Sequence, residues 1–320
     1  RIVLGCPREL LDLFSTSISK LNTWILESFG FLFSWSSFFF LALLLITYFS
    51  PLAQVKIGGK NAKPLLSKSR WFAISTCTTI ATGILFWGCA EPLFHYANPP
   101  ISTISPTSDA SMGFFISTMF MHWSFTPYAI YCVAGLVFAL SFYNLKRKFS
   151  VASLIPFQMG RINKTVESTI DVICLYSLIL GMSASLGAVI YSIIGGLNEV
   201  FDIPKSNFLI GCVGAFIIFS FILSAISGLQ KGIKWLSTLN ILGFILLAIF
   251  IFFISYPLDI LKIAFSGIAE YLITFPQRSL NIGSGISQAW RYDWSIFYWA
   301  NWFAWAPIAA LFLGKISKGY

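Results

Sequence analysis

"GFFISTMFMHWSFTPYAIYCVAGLVFALSF", residues 113–142, holds no lysine, arginine, aspartate or glutamate. A helix of about 20 apolar residues crosses a hydrocarbon core roughly 30 Å thick, so this run is long enough to span a bilayer. Its centre, "MHWSFTPYAIY" at 121–131, is not what lipid alone requires, because His122, Trp123, Pro127, Tyr128 and Tyr131 stand where leucine and valine would suffice. Pro127 removes a backbone hydrogen bond and predicts a kink. At about 100° per residue, Trp123, Tyr128 and Tyr131 fall on one broad face. The cluster starts near the middle of the span, too deep for an interfacial aromatic belt.

The whole chain follows the same logic. Of its 320 residues, 57% are hydrophobic and only 10% charged, with a mean hydropathy of +0.79; soluble domains carry about a quarter charged residues. A polytopic membrane protein is the class that fits, with seven predicted spans at about 31–49, 71–94, 113–142, 169–194, 208–227, 239–256 and 294–313. Loops facing the cytoplasm are enriched in lysine and arginine. Loop 52–70, loop 143–168, Lys231, Lys234, Lys315 and Lys318 hold most of the basic residues. The expected orientation therefore puts the N-terminus outside and the C-terminus in the cytoplasm, in a plasma or inner membrane. The net charge of +9 is accounted for by this topology, with no need of a nucleic-acid partner.

Residues 1–30 place Leu11, Phe14, Ile18, Leu21 and Ile25 at steps of three and four among polar neighbours, the pattern of an outer-side amphipathic segment lying on the membrane. Segment 257–293 has a similar start, and residues 31–320 then form the transmembrane bundle. Five of the six cysteines lie in predicted spans, so no disulfide framework is expected. The chain starts with Arg1, and no signal-peptide pattern precedes the first span, as expected of a segment of a longer protein.

Enzymatic chemistry finds little to stand on. No Cys/His cluster has zinc-ligand spacing, and neither a Walker A motif nor a nucleophile elbow occurs. The two histidines, His95 and His122, have no sequence partner that makes a catalytic set; His122 reads as a helix-packing donor. No catalytic residue, metal or organic cofactor is expected. A second aromatic run, "WSIFYWANWFAWAP" at 294–307, places Trp299, Trp302 and Trp305 three apart on one side of the last span. Two aromatic spans, each with a proline, predict a small box suited to an organic cation, since ring faces carry negative charge and a quaternary ammonium has no proton to donate. The stretch 69–96 is rich in hydroxyls, which either bond helix carbonyls or hold a small ion. Glu91 at its outer end is expected as a structural anchor satisfied by neighbouring helix ends, or as a gate.

With these motifs in place, the chain resembles the betaine/choline/carnitine transporter family (BCCT). "FWGCAEPLFHY" at 86–96 is similar to the family's third helix and "HWSFTPYAIYCVAGL" at 122–136 to the fourth. "SASLGAVIYSIIGGLN" at 183–198 is similar to the fifth, "SGLQKGIKWLSTLN" at 227–240 to the loop after the sixth, and "DWSIFYWANWFAWAP" at 293–307 to the eighth. The resemblance implies an all-α, LeuT-like inverted-repeat fold, here incomplete and covering about helices two to eight of twelve. It implies a secondary transporter of small quaternary-ammonium solutes (glycine betaine, choline or carnitine type), working by alternating access, with symport and osmoprotection as associated roles. The implied substrate-binding residues are Trp123, Tyr128, Tyr131 and Trp302, with Trp305 on the exit path. Backbone carbonyls of Cys77 and Ile80 are implied as ion ligands, with sodium or a proton as coupling ion, and homotrimers are usual in the family.

The chain also departs from the family. Tyr128 and Asn301 stand where tryptophan is usual, and Thr79, Ala81 and Gly83 replace three alternating glycines, weakening the expectation of a broken third helix. The alternative expectation is a truncated or decayed, non-transporting membrane protein of the same family.

Overall fold

The computed structural model describes residues 8–79, 84–155, 163–227, 232 and 234–320; Ile80, expected as an ion ligand, lies outside the described residues, as do Ala81 and Gly83. Among the described residues every regular element is helical. They are α1 (Arg8–Phe49), α2 (Lys68–Thr79), α3 (Ile84–Ala97), α4 (Asp109–Trp123), α5 (Phe125–Ala139), α6 (Lys164–Phe201), α7 (Asn207–Ile226), α8 (Lys234–Ile254), α9 (Pro257–Leu280), the short α10 (Gln288–Arg291) and α11 (Phe297–Ile316). In lipid every backbone N–H and C=O must be satisfied within the protein, which helices achieve locally. Six stretches of the described residues are helical, long and apolar enough to cross a membrane, including Asp109–Asn144, which combines α4 with α5, and Gln288–Ile316, which combines α10 with α11. The expected span at 71–94 is occupied by α2 and α3, of 12 and 14 residues, on either side of residues 80–83.

At the N-terminus the structure differs from the expected boundary at residue 30. α1 is one helix of 42 residues, about 63 Å long at 1.5 Å per residue, roughly twice the hydrocarbon thickness. The reason is local: residues 8–49 contain no proline and a single glycine, Gly30, so nothing separates the amphipathic part from the apolar part. Pro51 ends the run, with Ser50 accepting from the Leu52 N–H at 3.2 Å.

The main core lies where α4, α5, α9 and α11 meet, with α1 against it. It contains Met121, Ile130, Tyr131, Tyr271, Tyr298, Trp299, Trp302 and Ala306. α5 and α11 are its tightest pair, because small residues line their contact, as in membrane helix packing generally. Ala139, Ala306 and Ala310 are buried there. At Gly314 a Cβ would sit 2.6 Å from the Phe138 ring and 2.9 Å from the Gly135 carbonyl oxygen. α6, α7 and α8 instead present exposed leucine, isoleucine and phenylalanine, such as Leu180, Phe216 and Phe250, faces that suit hydrocarbon.

α9 grips α4 through a buried charge. Arg278 Nη1 donates to Ser117 Oγ at 2.7 Å, Nη2 donates to Thr118 Oγ1, and the guanidinium lies 4.7 Å from the Phe114 ring centroid. Burial lowers the Arg278 pKa to about 10, against the opposing pull of Glu270, so the group is cationic at neutral pH. At the other end, Trp71 Nε1 donates to Ser317 Oγ at 3.0 Å and Tyr320 Oη to the Leu66 carbonyl at 2.8 Å. These bonds tie α2 and the loop before it to the residues just after α11.

Overpacking at the α5–α11 contact is testable. Gly314→Val is expected to lose about 1–3 kcal/mol, read as a lower thermal transition of the detergent-solubilised protein. Gly195→Ala, with nothing within 4 Å of the added carbon, is expected to stay within about 0.5 kcal/mol of the parent.

Candidate functional site

The site begins at a break in the helix. α4 starts on Ser108, whose hydroxyl accepts from the Ser111 N–H at 3.2 Å, and ends at Trp123. Ser124 then has φ −117° and ψ −113°, outside the helical region, and α5 starts at Phe125. The expected kink at Pro127 is thus a discontinuity three residues earlier. Pro127 has no N–H for the Trp123 carbonyl one turn back, and the Ser124 hydroxyl bonds the Phe120 carbonyl.

Around the break, rings from two chain segments converge. Trp123 meets Trp302 at 5.8 Å between centroids with planes at 88°, and Tyr131 meets Trp302 at 5.3 Å and 80°. Trp123 also meets Tyr298 at 5.3 Å and 73°. Edge-to-face geometry aims the positive edge of one ring at the negative face of another, worth about 0.5–1.5 kcal/mol per pair beyond area burial. Tyr131 and Trp302 are buried and Trp123 is half-buried. The Trp302 ring N–H is buried with no acceptor among the described residues. The other two expected members stand apart. Tyr128 is 38% exposed and makes none of these ring pairs, while half-buried Trp305 lies against α6, where a Cβ at Gly181 would come within 2.6 Å of its ring.

Directly behind Trp123 lies Glu91, on α3 and fully buried. Its Oε2 accepts from Trp123 Nε1 at 2.8 Å and from Tyr298 Oη at 2.7 Å. Its Oε1 lies 2.6 Å from His122 Nδ1 and 3.4 Å from His95 Nε2. His122 Nε2 in turn lies 2.8 Å from Ser295 Oγ. A buried carboxylate is tolerated only when its lone pairs are met. The structure corrects the expected partners: side chains from α4 and α11 satisfy Glu91, with His95 one turn along α3, in place of helix ends. His122 is likewise more than a packing donor, since it bridges α3 to residue 295 and stacks on Tyr298 at 4.7 Å.

Glu91, His95 and His122 present ligand-type atoms within 4.8 Å of one another, a grouping for which a metal must be considered. The hydrogen bonds assign these atoms otherwise. Trp290 Nε1 donates to His95 Nδ1 at 3.3 Å. A neutral imidazole that accepts at Nδ1 carries its proton on Nε2, so the nitrogen facing Glu91 is a donor with no lone pair for an ion. The cluster is a hydrogen-bond network organised on one carboxylate. The only sequence signals for it are the spacing of Glu91 and His95, one helical turn apart, and the adjacency of His122 to Trp123.

The hydroxyls of α2 mostly bond its own carbonyls: Thr78 to Ile74 at 2.7 Å and Thr79 to Ser75 at 3.0 Å. Cys77 sits against α8, its thiol donating to the Ser237 carbonyl at 3.5 Å.

Removing the carboxylate tests the network. Glu91→Ala strands buried donors from Trp123, Tyr298 and His122 and is expected to cost about 3–5 kcal/mol. Glu91→Gln keeps one acceptor oxygen, and its expected cost is smaller, about 1–3 kcal/mol. Thermal unfolding in detergent, monitored by tryptophan fluorescence, separates the two.

Comparison with known proteins now adds to this geometry. The chain is 28% identical over 318 residues to an ectoine/hydroxyectoine transporter of Virgibacillus pantothenticus, covering 99% of this chain and 63% of that protein. It is 32% identical over 304 residues to the glycine betaine transporter OpuD of Bacillus subtilis, covering 93% and 59%. Against a glycine betaine/proline/choline/ectoine transporter of Vibrio parahaemolyticus it is 28% identical over 310 residues, covering 95% and 54%. The chain therefore spans a little over half the length of these relatives. The family model for BCCT, the betaine/carnitine/choline family transporters, matches residues 9–320, and the chain belongs to that family.

Proposed function

We propose that this chain forms part of a secondary transporter that binds a small quaternary-ammonium or related zwitterionic solute, of the glycine betaine, choline or carnitine type, between α4–α5 and α11. The supporting observation is the convergence of Trp123, Tyr131 and Trp302, edge to face, beside a break in the helix. Ring faces attract an alkylammonium by about 0.5–2 kcal/mol each when desolvated, so three rings hold it without a counter-ion. The unpartnered Trp302 N–H supplies what the rings lack, a donor for a solute carboxylate or hydroxyl. The relatives' printed solutes, glycine betaine and ectoine among them, share this pattern of delocalised or alkylated positive charge beside a carboxylate.

In this reading Tyr128 lines the approach to the box and Trp305 the path away from it. The cycle is alternating access, in which the repeat containing α4 and the repeat begun by α11 rock about the bound solute. The coupling ion is sodium or a proton, or transport is exchange; the Cys77 carbonyl is the ligand proposed on this chain, together with that of Ile80. The membrane is the plasma membrane, with the basic loops on the cytoplasmic side and the assembly a homotrimer.

The test is uptake of radiolabelled glycine betaine, choline, carnitine and ectoine by cells expressing the full-length gene, with and without sodium. Uptake of at least one is expected, and Trp302→Leu is expected to reduce it at solute concentrations where the parent is half-saturated, since losing one ring weakens affinity by about 2- to 30-fold. Tyr128→Trp is expected to shift the ranking of the solutes, because it exchanges a hydroxyl at the approach for a larger ring. An unchanged ranking removes Tyr128 from the specificity argument.

A further inference from the structure

Away from the aromatic cluster, the loop between α1 and α2 builds a cavity of about 720 Å³ lined by Lys60, Lys63 and Leu65 and, from the segment after α11, by Lys318. Local backbone fixes its shape. The Gly59 N–H donates to the Lys56 carbonyl and the Ala62 N–H to the Gly59 carbonyl, each at 3.0 Å, so that two turns follow one another. Gly58 and Gly59, at φ +90° and +91°, supply backbone angles that other residues rarely adopt. Three longer ties hold the loop to distant parts of the chain. The Ile57 N–H donates to the Tyr320 carbonyl and the Gly319 N–H to the Ile57 carbonyl, both at 2.9 Å. The Gly58 N–H donates to Asn144 Oδ1 at 2.7 Å, and Leu66 is buried with Ile74 and Ile316. The backbone that carries Lys60 and Lys63 is thus fixed between anchored neighbours.

The charge in this cavity is unbalanced. No aspartate or glutamate occurs from residue 28 to 90, from 110 to 166 or from 294 to 320, the segments that meet here. Near the start of α6, Glu167 pairs with Lys148 at 3.3 Å, and Asp171 Oδ1 accepts from Ser150 Oγ at 3.0 Å and from the Val151 N–H at 2.9 Å. Both carboxylates are engaged away from the cavity. Among the described residues, the Lys60 and Lys63 ammonium groups have no ion pair or hydrogen bond. Lys318 lies across the loop, its Cγ 3.5 Å from where a Cβ on Gly58 would stand, and its ammonium rests 5.6 Å from the Tyr143 ring centroid. Three cations on one concave surface repel one another, and an anion between them relieves that repulsion. The loop leaves α1 through Phe49 and Leu52, both exposed, and Leu65, also exposed, lines the cavity itself. Apolar side chains interleaved with lysines fit the head-group region of a bilayer, where stems meet hydrocarbon and ammonium groups meet phosphate.

We propose that this cavity binds the phosphodiester head group of an anionic membrane phospholipid, held by Lys60 and Lys63 from the loop and by Lys318 from the segment after α11, with the acyl chains leaving past Leu65. The site is independent of the aromatic box. Lysine meets a phosphate as a point charge on a flexible stem, so three stems on a fixed backbone close on the group without demanding one orientation. Each lysine near an anionic lipid contributes a factor of about five in affinity, and three together a factor on the order of 100. A zwitterionic phospholipid brings its own cation, which the same three ammonium groups repel. Because the head group touches both segments, it joins the loop before α2 to the residues after α11. A ligand taken up by the folded state alone raises its stability.

The experiment uses the full-length protein in a neutral detergent, with dioctanoyl phosphatidylglycerol as the probe and native mass spectrometry as the readout. Saturable binding is expected, about tenfold or more tighter than that of dioctanoyl phosphatidylcholine, together with a higher thermal transition. Equal binding of the two lipids, or no saturable binding of phosphatidylglycerol, overturns the proposal. The head group without acyl chains, glycerophosphoglycerol, is expected to bind at least about tenfold more weakly, because it leaves the apolar rim unused; equal affinity assigns the site to a free phosphate ester and overturns the lipid. Lys60→Gln/Lys63→Gln/Lys318→Gln is expected to weaken phosphatidylglycerol binding on the order of 100-fold, and arginine at the same three positions to retain it. Lys146→Gln/Lys148→Gln/Lys164→Gln removes equal charge from the α5–α6 connection and the start of α6, and binding is expected to stay within about twofold of the parent. Equal losses in the two glutamine triples mean diffuse attraction to a basic face and overturn the cavity. If the first triple lowers the thermal transition of the lipid-free protein, Lys60→Gln, at an exposed side chain, takes its place; a loss of about fivefold is expected, and unchanged binding overturns the proposal.

Discussion

A carboxylate buried without water must be surrounded by donors, and at Glu91 that requirement organises the centre of the molecule. Its oxygens lie against His122 and Trp123 of α4 and Tyr298 of α11, with His95 one turn along α3. Two consecutive helices, α3 and α4, and the distant α11 are thereby held at fixed positions relative to one another. Leaving any of these donors unmet in a low-dielectric interior costs more than the bond itself is worth in water. The same bonds set the orientation of the Trp123 indole, and so of one wall of the aromatic cluster.

The second constraint is steric. α5 and α11 approach closely because Gly314 faces the Gly135 carbonyl and Phe138 with no room for a side chain. In lipid there is little hydrophobic drive between helices, so close backbone approach and dispersion contacts carry the association. That approach brings Trp302 within ring contact of Tyr131. The break at Ser124 brings Trp123 to the other side of Trp302. Binding geometry and helix packing are thus the same set of contacts, and the solute proposed for the cluster would lie on the most rigidly determined part of the fold.

Much of this was legible in the chain and some was not. The aromatic residues of both segments were identifiable, because density of tryptophan and tyrosine in a span is a local property. Their sorting was not. Trp123, Tyr131 and Trp302 meet, whereas Tyr128 faces outward and Trp305 turns to Gly181 of α6, outcomes set by the Ser124 dihedral angles and the pitch of α11 against α5. The run of α1 through residue 30 shows what a change in hydropathy leaves out: helix continuity depends on breakers, and residues 8–49 hold no proline.

The sequence by itself determined that the chain is a helical membrane protein of the BCCT family, since hydropathy over about 20 residues and ordered motifs are written along one dimension. Only the tertiary structure decided what Glu91 is for. Its partners His122 and Tyr298 are 31 and 207 positions away, and a hydrogen bond requires atoms within about 3 Å and well aligned, a condition that three-dimensional packing alone can meet.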